Sequence, residues 1–157
     1  VGNAPGNDPI ISEEKIRGYR NFANKIWNAS RFVLMNLQDF DPKAKIKLSP
    51  KDKTNLKSLD KLVSEVTKDI ESFKLYYAAE KLYHYFWHNF ADKIIEESKA
   101  SLQNDKERAS TQYVLFKILE TNLKLLHPFM PFITEEIYQK LPGEKKNLLI
   151  IEEWPKA

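Results

Sequence analysis

The stretch SEEKIRGYRNFANKIWNASRFVLMNL, residues 12–37, decides the fold of this chain. Residues suited to a core recur in it at three- and four-residue spacing, which is typical of an amphipathic α-helix. They are Ile16, Tyr19, Ala23, Ile26, Ser30, Val33 and Leu37. Ser12 can cap this helix, and the two glutamates that follow it suit the positive end of the helix dipole. The stretch therefore predicts a helix over residues 13–37 with one face in a core.

The rest of the chain also favours helices, because its middle has long stretches without Gly or Pro. Ser49 as cap and Pro50 as first helical residue predict a second helix, ending near residues 71–74. We expect a third helix over residues 75–102, and a fourth that ends before the His-Pro pair at residues 127 and 128. Thr134 is the predicted cap of a short fifth helix. Only NLLIIEEW, residues 147–154, is a plausible strand.

These elements predict an all-α fold, a helical bundle of four long helices and one short helix, with a short C-terminal strand-like segment. The chain of 157 residues is long enough for one domain with a real core. We expect an irregular lead-in at residues 1–11, the bundle at 12–142 and an extension at 143–157. The start of the chain does not have the basic and apolar regions of a signal peptide, and we expect a cytoplasmic location.

Composition narrows the possible functions. The chain has no Cys, which excludes disulfides, thiolate metal sites and a Cys nucleophile. It has no apolar run of about 18 residues, so we predict no transmembrane helix. The net charge of +3 is mild, and it permits a polyanionic partner without requiring one. Any argument for nucleic-acid binding must therefore depend on where the charges lie.

One aromatic residue of the first helix lies outside the apolar stripe. At about 100° per residue, Phe32 lies beside Lys25 and Asn28 on the polar side. Unpaired bases stack on exposed aromatic rings, while Asn can contact base edges and Lys or Arg can hold phosphates. The alternative is that Phe32 packs under the following loop, against Phe40. The polar arc continues through Asn24 and Arg31.

The third helix carries one polar row, formed by Glu80, His84, His88 and Asp92. Two His four residues apart on a helix can chelate zinc, which would make the protein a zinc enzyme. The alternative is that the row is the solvent edge of a buried helix. Zinc needs three or four converging ligands, so we predict no metal site. We also predict no catalytic residues, because no phosphate-binding loop or distinctive nucleophile is present.

Several segments resemble one family. Residues 18–37, GYRNFANKIWNASRFVLMNL, are similar to the start of the anticodon-binding helical domain of valyl-tRNA synthetases. Residues 82–99, LYHYFWHNFADKIIEESK, match the third-helix pattern of that domain. Residues 126–141, LHPFMPFITEEIYQKL, resemble a segment that the valyl, isoleucyl and leucyl enzymes share. The passage into the domain, residues 5–15, and the closing residues 150–155 also resemble the valyl type.

This resemblance implies a helix bundle that holds the anticodon stem-loop of tRNA(Val). Carried over by position, the expected contacts are Lys25, Arg31 and Phe32, with Ile95 as an apolar partner on the third helix. Asn24 and Asn28 are our additions from helix geometry. We expect three loop lysines, Lys43, Lys45 and Lys47, to attract the phosphate backbone.

The resemblance also implies that RNA binding and catalysis lie in different parts of the parent enzyme. Because the chain has no HIGH or KMSKS motif, we expect a fragment that binds RNA without catalysis. We also expect it to be a monomer and to have no cofactor of its own. The parent enzyme would ligate valine to tRNA with ATP and Mg²⁺. Two alternatives stay open: the isoleucyl counterpart of this domain, and a helical protein–protein interaction module in which Phe32 anchors a partner helix.

Overall fold

The computed structural model describes residues 12–41, 46–143 and 147–157, and in that part of the chain it is all-α. The helices are α1 (Glu13–Asn36), α2 (Pro50–Glu71), α3 (Leu75–His84), a π-helical segment (Tyr85–Ile94), α4 (Ile95–Ser101), α5 (Asp105–Leu126) and α6 (Pro131–Tyr138). α3, the π-helical segment and α4 follow one another without a break and form the third long helix. The predicted bundle of four long helices and one short helix is confirmed.

Local capping chemistry explains where the first two helices begin. The Ser12 hydroxyl accepts a hydrogen bond of 3.2 Å from the Lys15 N–H, as predicted. The Ser49 hydroxyl accepts from the Asp52 N–H at 3.1 Å, and the Asp52 carboxylate accepts from the Ser49 N–H at 2.9 Å. This reciprocal capping box satisfies two donors that a helix start otherwise leaves unpaired.

α5 is the centre of the bundle. It contacts α1, α2, α3, α4 and α6. Its apolar side chains are buried on most of its sides, and Leu115, Ile118 and Leu119 are completely inaccessible to solvent. α5 therefore fixes the positions of the helices around it, including α1 and the third long helix.

α1 and the third long helix run in the same direction. Lys25 pairs with Asp92 and Phe32 lies near Lys99, so seven residues along one helix correspond to seven residues along the other. Aromatic rings fill the start of this contact, because Phe22 stacks on Trp87 with ring centroids 6.2 Å apart. The two helices thus form one continuous surface.

The turn between α2 and α3 has an unusual residue at its centre. Phe73 has φ 57°, the only non-glycine residue with a positive φ among the described residues. The Phe73 N–H donates to the Ile70 carbonyl at 2.9 Å, and the Lys74 N–H donates to the Asp69 carbonyl at 2.7 Å. These bonds form a Schellman motif, in which glycine is the usual residue at the left-handed position. The Phe73 ring is 87% exposed.

Polar contacts fasten the end of α1 to the start of α5. The Asp39 carboxylate accepts hydrogen bonds from Arg108 at 2.9 and 3.1 Å and from the Gln112 amide at 2.7 Å. The same amide donates to the Asn36 carbonyl. The Arg108 and Gln112 hydrogen bonds lower the pKa of Asp39 to about 2.

Two predictions about local structure are wrong. Thr134 does not cap the short helix, because Pro131 begins it one turn earlier. The Thr134 side chain is completely buried and its hydroxyl donates to the Met130 carbonyl at 2.9 Å. The predicted strand is not present among the described residues, where Leu149–Ile151 forms a short 3-10 helix.

The predicted core face of α1 is also wrong at its first turns. Ile16 is 57% exposed and Tyr19 is 58% exposed, because the neighbouring helices do not cover the start of α1. Tyr19 instead lines an open groove of about 560 Å³ together with Phe22 and Tyr83. From Phe22 onward the predicted face is buried, apart from Ala23, which is half-buried.

Of the two ends of the chain, the structure describes the C-terminal one. The lead-in at residues 1–11 lies outside the described residues. Residues 147–157 pack back on the bundle, and the Trp154 indole N–H donates to the Thr67 hydroxyl at 2.8 Å. The division at residue 142 stays a prediction. No helix in the described ranges is both long enough and apolar enough to cross a membrane.

Candidate nucleic-acid interface

The outer side of α1 carries the residues predicted to contact RNA. Asn24, Asn28 and Arg31 are exposed, and Lys25 and Phe32 are half-buried at the edge facing the third helix. Helical periodicity explains this arrangement, because residues 25, 28 and 32 follow one another along one edge of the helix. The structure thus brings these five residues together on one surface.

Phe32 is half-buried, with part of its side chain on the core and part open to solvent. Its side chain packs against the core cluster without being buried in it. The Lys99 ammonium lies 6.0 Å from the centre of the Phe32 ring, at the distance of a weak cation–π contact. The Phe40 ring is buried against Phe116, with centroids 5.3 Å apart. No ring contact joins Phe32 to Phe40 in the described structure, so the alternative of a Phe32–Phe40 pair receives no support.

Lys25 is held by the third helix. Its ammonium lies 2.5 Å from the Asp92 carboxylate and 5.5 Å from the centre of the Trp87 ring. The hydrogen bond from Lys25 lowers the pKa of the Asp92 carboxyl, so this carboxyl stays ionised at neutral pH. The second Asp92 oxygen is 3.5 Å from His88 Nδ1. Lys25 therefore belongs to a charged cluster on the surface.

The structure places Ile95 in the core. Only 5% of its surface is exposed, and it belongs to the hydrophobic cluster on which Phe32 packs. Burial arises because Ile94 and Ile95, at the junction of the π-helical segment and α4, both face the interior. In this conformation the Ile95 side chain supports the surface from inside and is not available to a base.

Of the three loop lysines, only Lys47 can be placed. It is exposed in the segment before α2. Lys43 and Lys45 lie outside the described residues. Lys51, in the first turn of α2, forms an ion pair of 2.9 Å with Glu97 of α4. A lysine of α2 thus also reaches the third helix.

The zinc interpretation receives no support. The His84 and His88 rings are 5.3 Å apart, but Asp92, the carboxylate 3.5 Å from His88, is paired with Lys25. In the described ranges no group of three His, Asp or Glu side chains is positioned to hold a metal ion. The row is the exposed edge of the third helix.

Sequence reasoning missed how the third helix takes part in the surface. The π-helical segment Tyr85–Ile94 contains Trp87 and Asp92, the two residues that contact Lys25. Asp92 was recognised only as a member of the polar row, and Lys99 was not singled out. The parallel direction of the two helices would have revealed these residues, but that direction is known only from the three-dimensional structure. π-Helical turns often occur at functional sites.

Comparison with known proteins agrees with this structure, an all-α bundle that carries basic, amide and aromatic side chains on the surface of α1. The family described as the anticodon-binding domain of tRNA ligases matches residues 52–157. The chain therefore belongs to this family.

Individual relatives give a more specific similarity than the family does. The chain is 46% identical over 154 residues to a valine–tRNA ligase of Pseudothermotoga lettingae, covering 98% of the chain and 18% of that protein. It is 49% identical over 161 residues to a valine–tRNA ligase of Clostridium acetobutylicum, covering 99% of the chain and 18% of that protein. With the enzyme of Thermotoga maritima the identity is 45% over 152 residues, 97% of the chain and 17% of that protein. The chain thus spans less than a fifth of the length of these relatives.

Proposed function

We propose that this chain is the anticodon-binding domain of a valine–tRNA ligase and binds the anticodon stem-loop of tRNA(Val). The observation that carries the proposal is the row Lys25, Asn28 and Phe32 on the accessible edge of α1. Similarity to valine–tRNA ligases over nearly the whole chain supports it.

Four residues on this side of α1 have separate roles in this proposal. Phe32 stacks on an unpaired anticodon base with the part of its ring that the core does not cover. Asn28 forms hydrogen bonds with a base edge. Arg31 and Asn24, further round the helix, contact phosphates or sugars.

The loop lysines contribute the part of binding that does not depend on sequence. Lys43, Lys45 and Lys47 attract phosphates, which makes affinity fall as salt rises. The whole protein would ligate valine to tRNA with ATP and Mg²⁺. We propose that this part of the chain itself holds neither ATP nor Mg²⁺. We also propose that the protein is a monomer and is located in the cytoplasm.

The test is a titration of the 157-residue protein with the anticodon stem-loop of tRNA(Val) at low salt. Phe32→Ala should weaken binding about 5- to 150-fold, since stacking on an aromatic residue is worth about 1–3 kcal/mol. The matched control is Phe132→Ala, which removes a ring that is 91% exposed on α6. We expect Phe132→Ala to bind as the wild type does.

Three outcomes would contradict the proposal. If the folded wild type does not bind the stem-loop at low salt, the RNA-binding function is wrong and the protein-interaction alternative gains support. If Phe32→Ala lowers the melting temperature strongly, Phe32 is chiefly a core residue. If a stem-loop with an isoleucine anticodon binds more tightly, the isoleucyl alternative is correct.

A further inference from the structure

We propose that Gln112 of α5 is a positioning residue for RNA binding, which holds the last turn of α1 and thereby the Phe32 ring in place. This inference depends on the proposed function, because it concerns how the base-stacking residue is presented to RNA. Gln112 acts through α1 without touching RNA itself, since only 4% of its surface is exposed.

The last turn of α1 depends on donors from outside the helix. The last four carbonyls of an α-helix have no partner within it, and a cation near that end offsets the negative end of the helix dipole. α1 ends at Asn36 and has no basic residue in its last turn. Phe32 lies only 4 residues before this end, and helix ends fray. Fraying would move the ring away from its place on the core.

Gln112 supplies such a donor from the centre of the bundle. Its side-chain amide donates to the Asn36 carbonyl and to the Asp39 carboxylate, and both hydrogen bonds are 2.7 Å long. The carbonyl and the ionised carboxylate can only accept, so the amide nitrogen must face them. Because α5 contacts α1, α2, α3, α4 and α6, the donor has a fixed position relative to the rest of the bundle.

A second hydrogen bond carries this support back to Phe32. The Asn36 side-chain amide donates to the Phe32 carbonyl at 2.8 Å, one turn earlier on α1. Gln112, Asn36 and Phe32 are thus joined in one series of hydrogen bonds, which runs from α5 to the proposed stacking residue. A ring that is held in its binding position before RNA arrives loses less entropy on binding.

Arg108 keeps the Asp39 carboxylate in place beside Gln112. Two of its N–H groups donate to Asp39 at 3.1 and 2.9 Å, and a third donates to the Leu102 carbonyl at 2.9 Å. The Arg108 and Asp39 side chains are 32% and 61% exposed, so their ion pair adds little stability by itself. Gln112 is the buried member of this group, and its removal would leave two acceptors without their donor.

The experiment compares Gln112→Met with a matched control, Thr67→Val. Methionine resembles glutamine in length but has no donor, so both Gln112 hydrogen bonds are lost. Thr67→Val removes the hydroxyl that accepts from the Trp154 indole at 2.8 Å, a hydrogen bond that does not involve α1. Each variant is made with and without Phe32→Ala and titrated with the anticodon stem-loop of tRNA(Val) at low salt. Amide hydrogen exchange at residues 34–37 measures fraying of the last turn directly.

For Gln112→Met we expect exchange at residues 34–37 to become about 2- to 13-fold faster, the effect of losing one hydrogen bond. Stem-loop binding should weaken by a similar factor when Phe32 is present, and by less than about 2-fold in the Phe32→Ala background. Thr67→Val should change neither quantity. Melting temperatures establish that the variants are folded. If Gln112→Met is unfolded, Gln112→Asn, which keeps the amide but shortens its reach, takes its place with the same expectations.

The outcomes separate this inference from the proposed function. If Phe32→Ala weakens binding but Gln112→Met changes neither binding nor exchange, Gln112 does not position the ring and only this inference is wrong. An equal loss of affinity with and without Phe32 would also overturn it, because Gln112 would then act by another route. The same holds if Thr67→Val weakens binding as much, since the effect would be a general loss of stability. If the wild type binds no stem-loop, both proposals are wrong.

Discussion

Replacing Phe73 by glycine should make the protein more stable. Phe73 holds a left-handed backbone conformation, with φ 57°, at the end of α2. This conformation costs an L-residue with a side chain about 1–2 kcal/mol of conformational energy, a cost that glycine does not have. The ring is 87% exposed, so its removal costs little packing energy.

Glycine also carries an entropic cost, which reduces this gain in the free energy of unfolding. It loses more freedom on folding than other residues, at a cost of about 0.5–1 kcal/mol. The net expectation is a gain of about 1 kcal/mol in the free energy of unfolding. For a chain of this length the entropy of unfolding is about 0.33 kcal/mol/K, so the melting temperature should rise by about 3 °C.

The assay is thermal unfolding followed by circular dichroism, with Phe73→Ala as control. Alanine also removes the exposed ring but keeps the cost of the left-handed conformation, so its melting temperature should stay close to that of the wild type. The reasoning is refuted if Phe73→Gly melts lower than the wild type, or if Phe73→Ala gains as much as Phe73→Gly. In the second case the gain would come from removing the ring.

Two further predictions concern local polar contacts. Ser49→Ala should lower the free energy of unfolding by about 1 kcal/mol, because it removes the N-cap of α2, while Ser64→Ala on the exposed side of the same helix should have little effect; urea unfolding compares them. Asp39→Asn should be less stable than the wild type at pH 7, and this difference should shrink as pH falls from about 4 through about 2. The sign follows because Arg108 lowers the Asp39 pKa from 3.8 to about 2, so the stabilisation is present above the ordinary pKa and lost through the lowered one. Denaturation midpoints at several pH values measure the difference, and a difference as large at pH 2 as at pH 7 would contradict the assignment.

Local chemistry predicted the long helices well. Ser12, Ser49 and Pro50 are start signals that act within one turn, so their effect does not depend on the rest of the fold. Thr134 was misread because a hydroxyl can cap a helix or bond to a carbonyl one turn earlier, and Pro131 decided in favour of the second. The apolar run that became Leu149–Ile151 is too short for periodicity to separate strand from helix.

Features set by neighbouring helices could not be predicted. Periodicity indicates which side of α1 faces a core but not how far along the helix the core extends, which is why Tyr19 was misplaced. The π-helical segment depends on how large aromatic side chains pack, which the spacing of residues does not record. The row on α1 was predicted from helix geometry alone. Its pairing with Asp92 and Lys99 required knowledge of which helix lies beside it, and in which direction.

The parallel arrangement of α1 and the third helix also sets a length. Lys25 and Phe32 are seven residues apart on an α-helix, which separates them by about 10.5 Å along its axis. Stacked nucleotides of one strand rise by about 3.4 Å each, so this distance corresponds to about three nucleotides. Asp92 and Lys99 keep the same spacing on the other side of the surface. For a strand lying along α1, the two ends of the row would meet nucleotides about one triplet apart, and an insertion in either helix between them would change that distance.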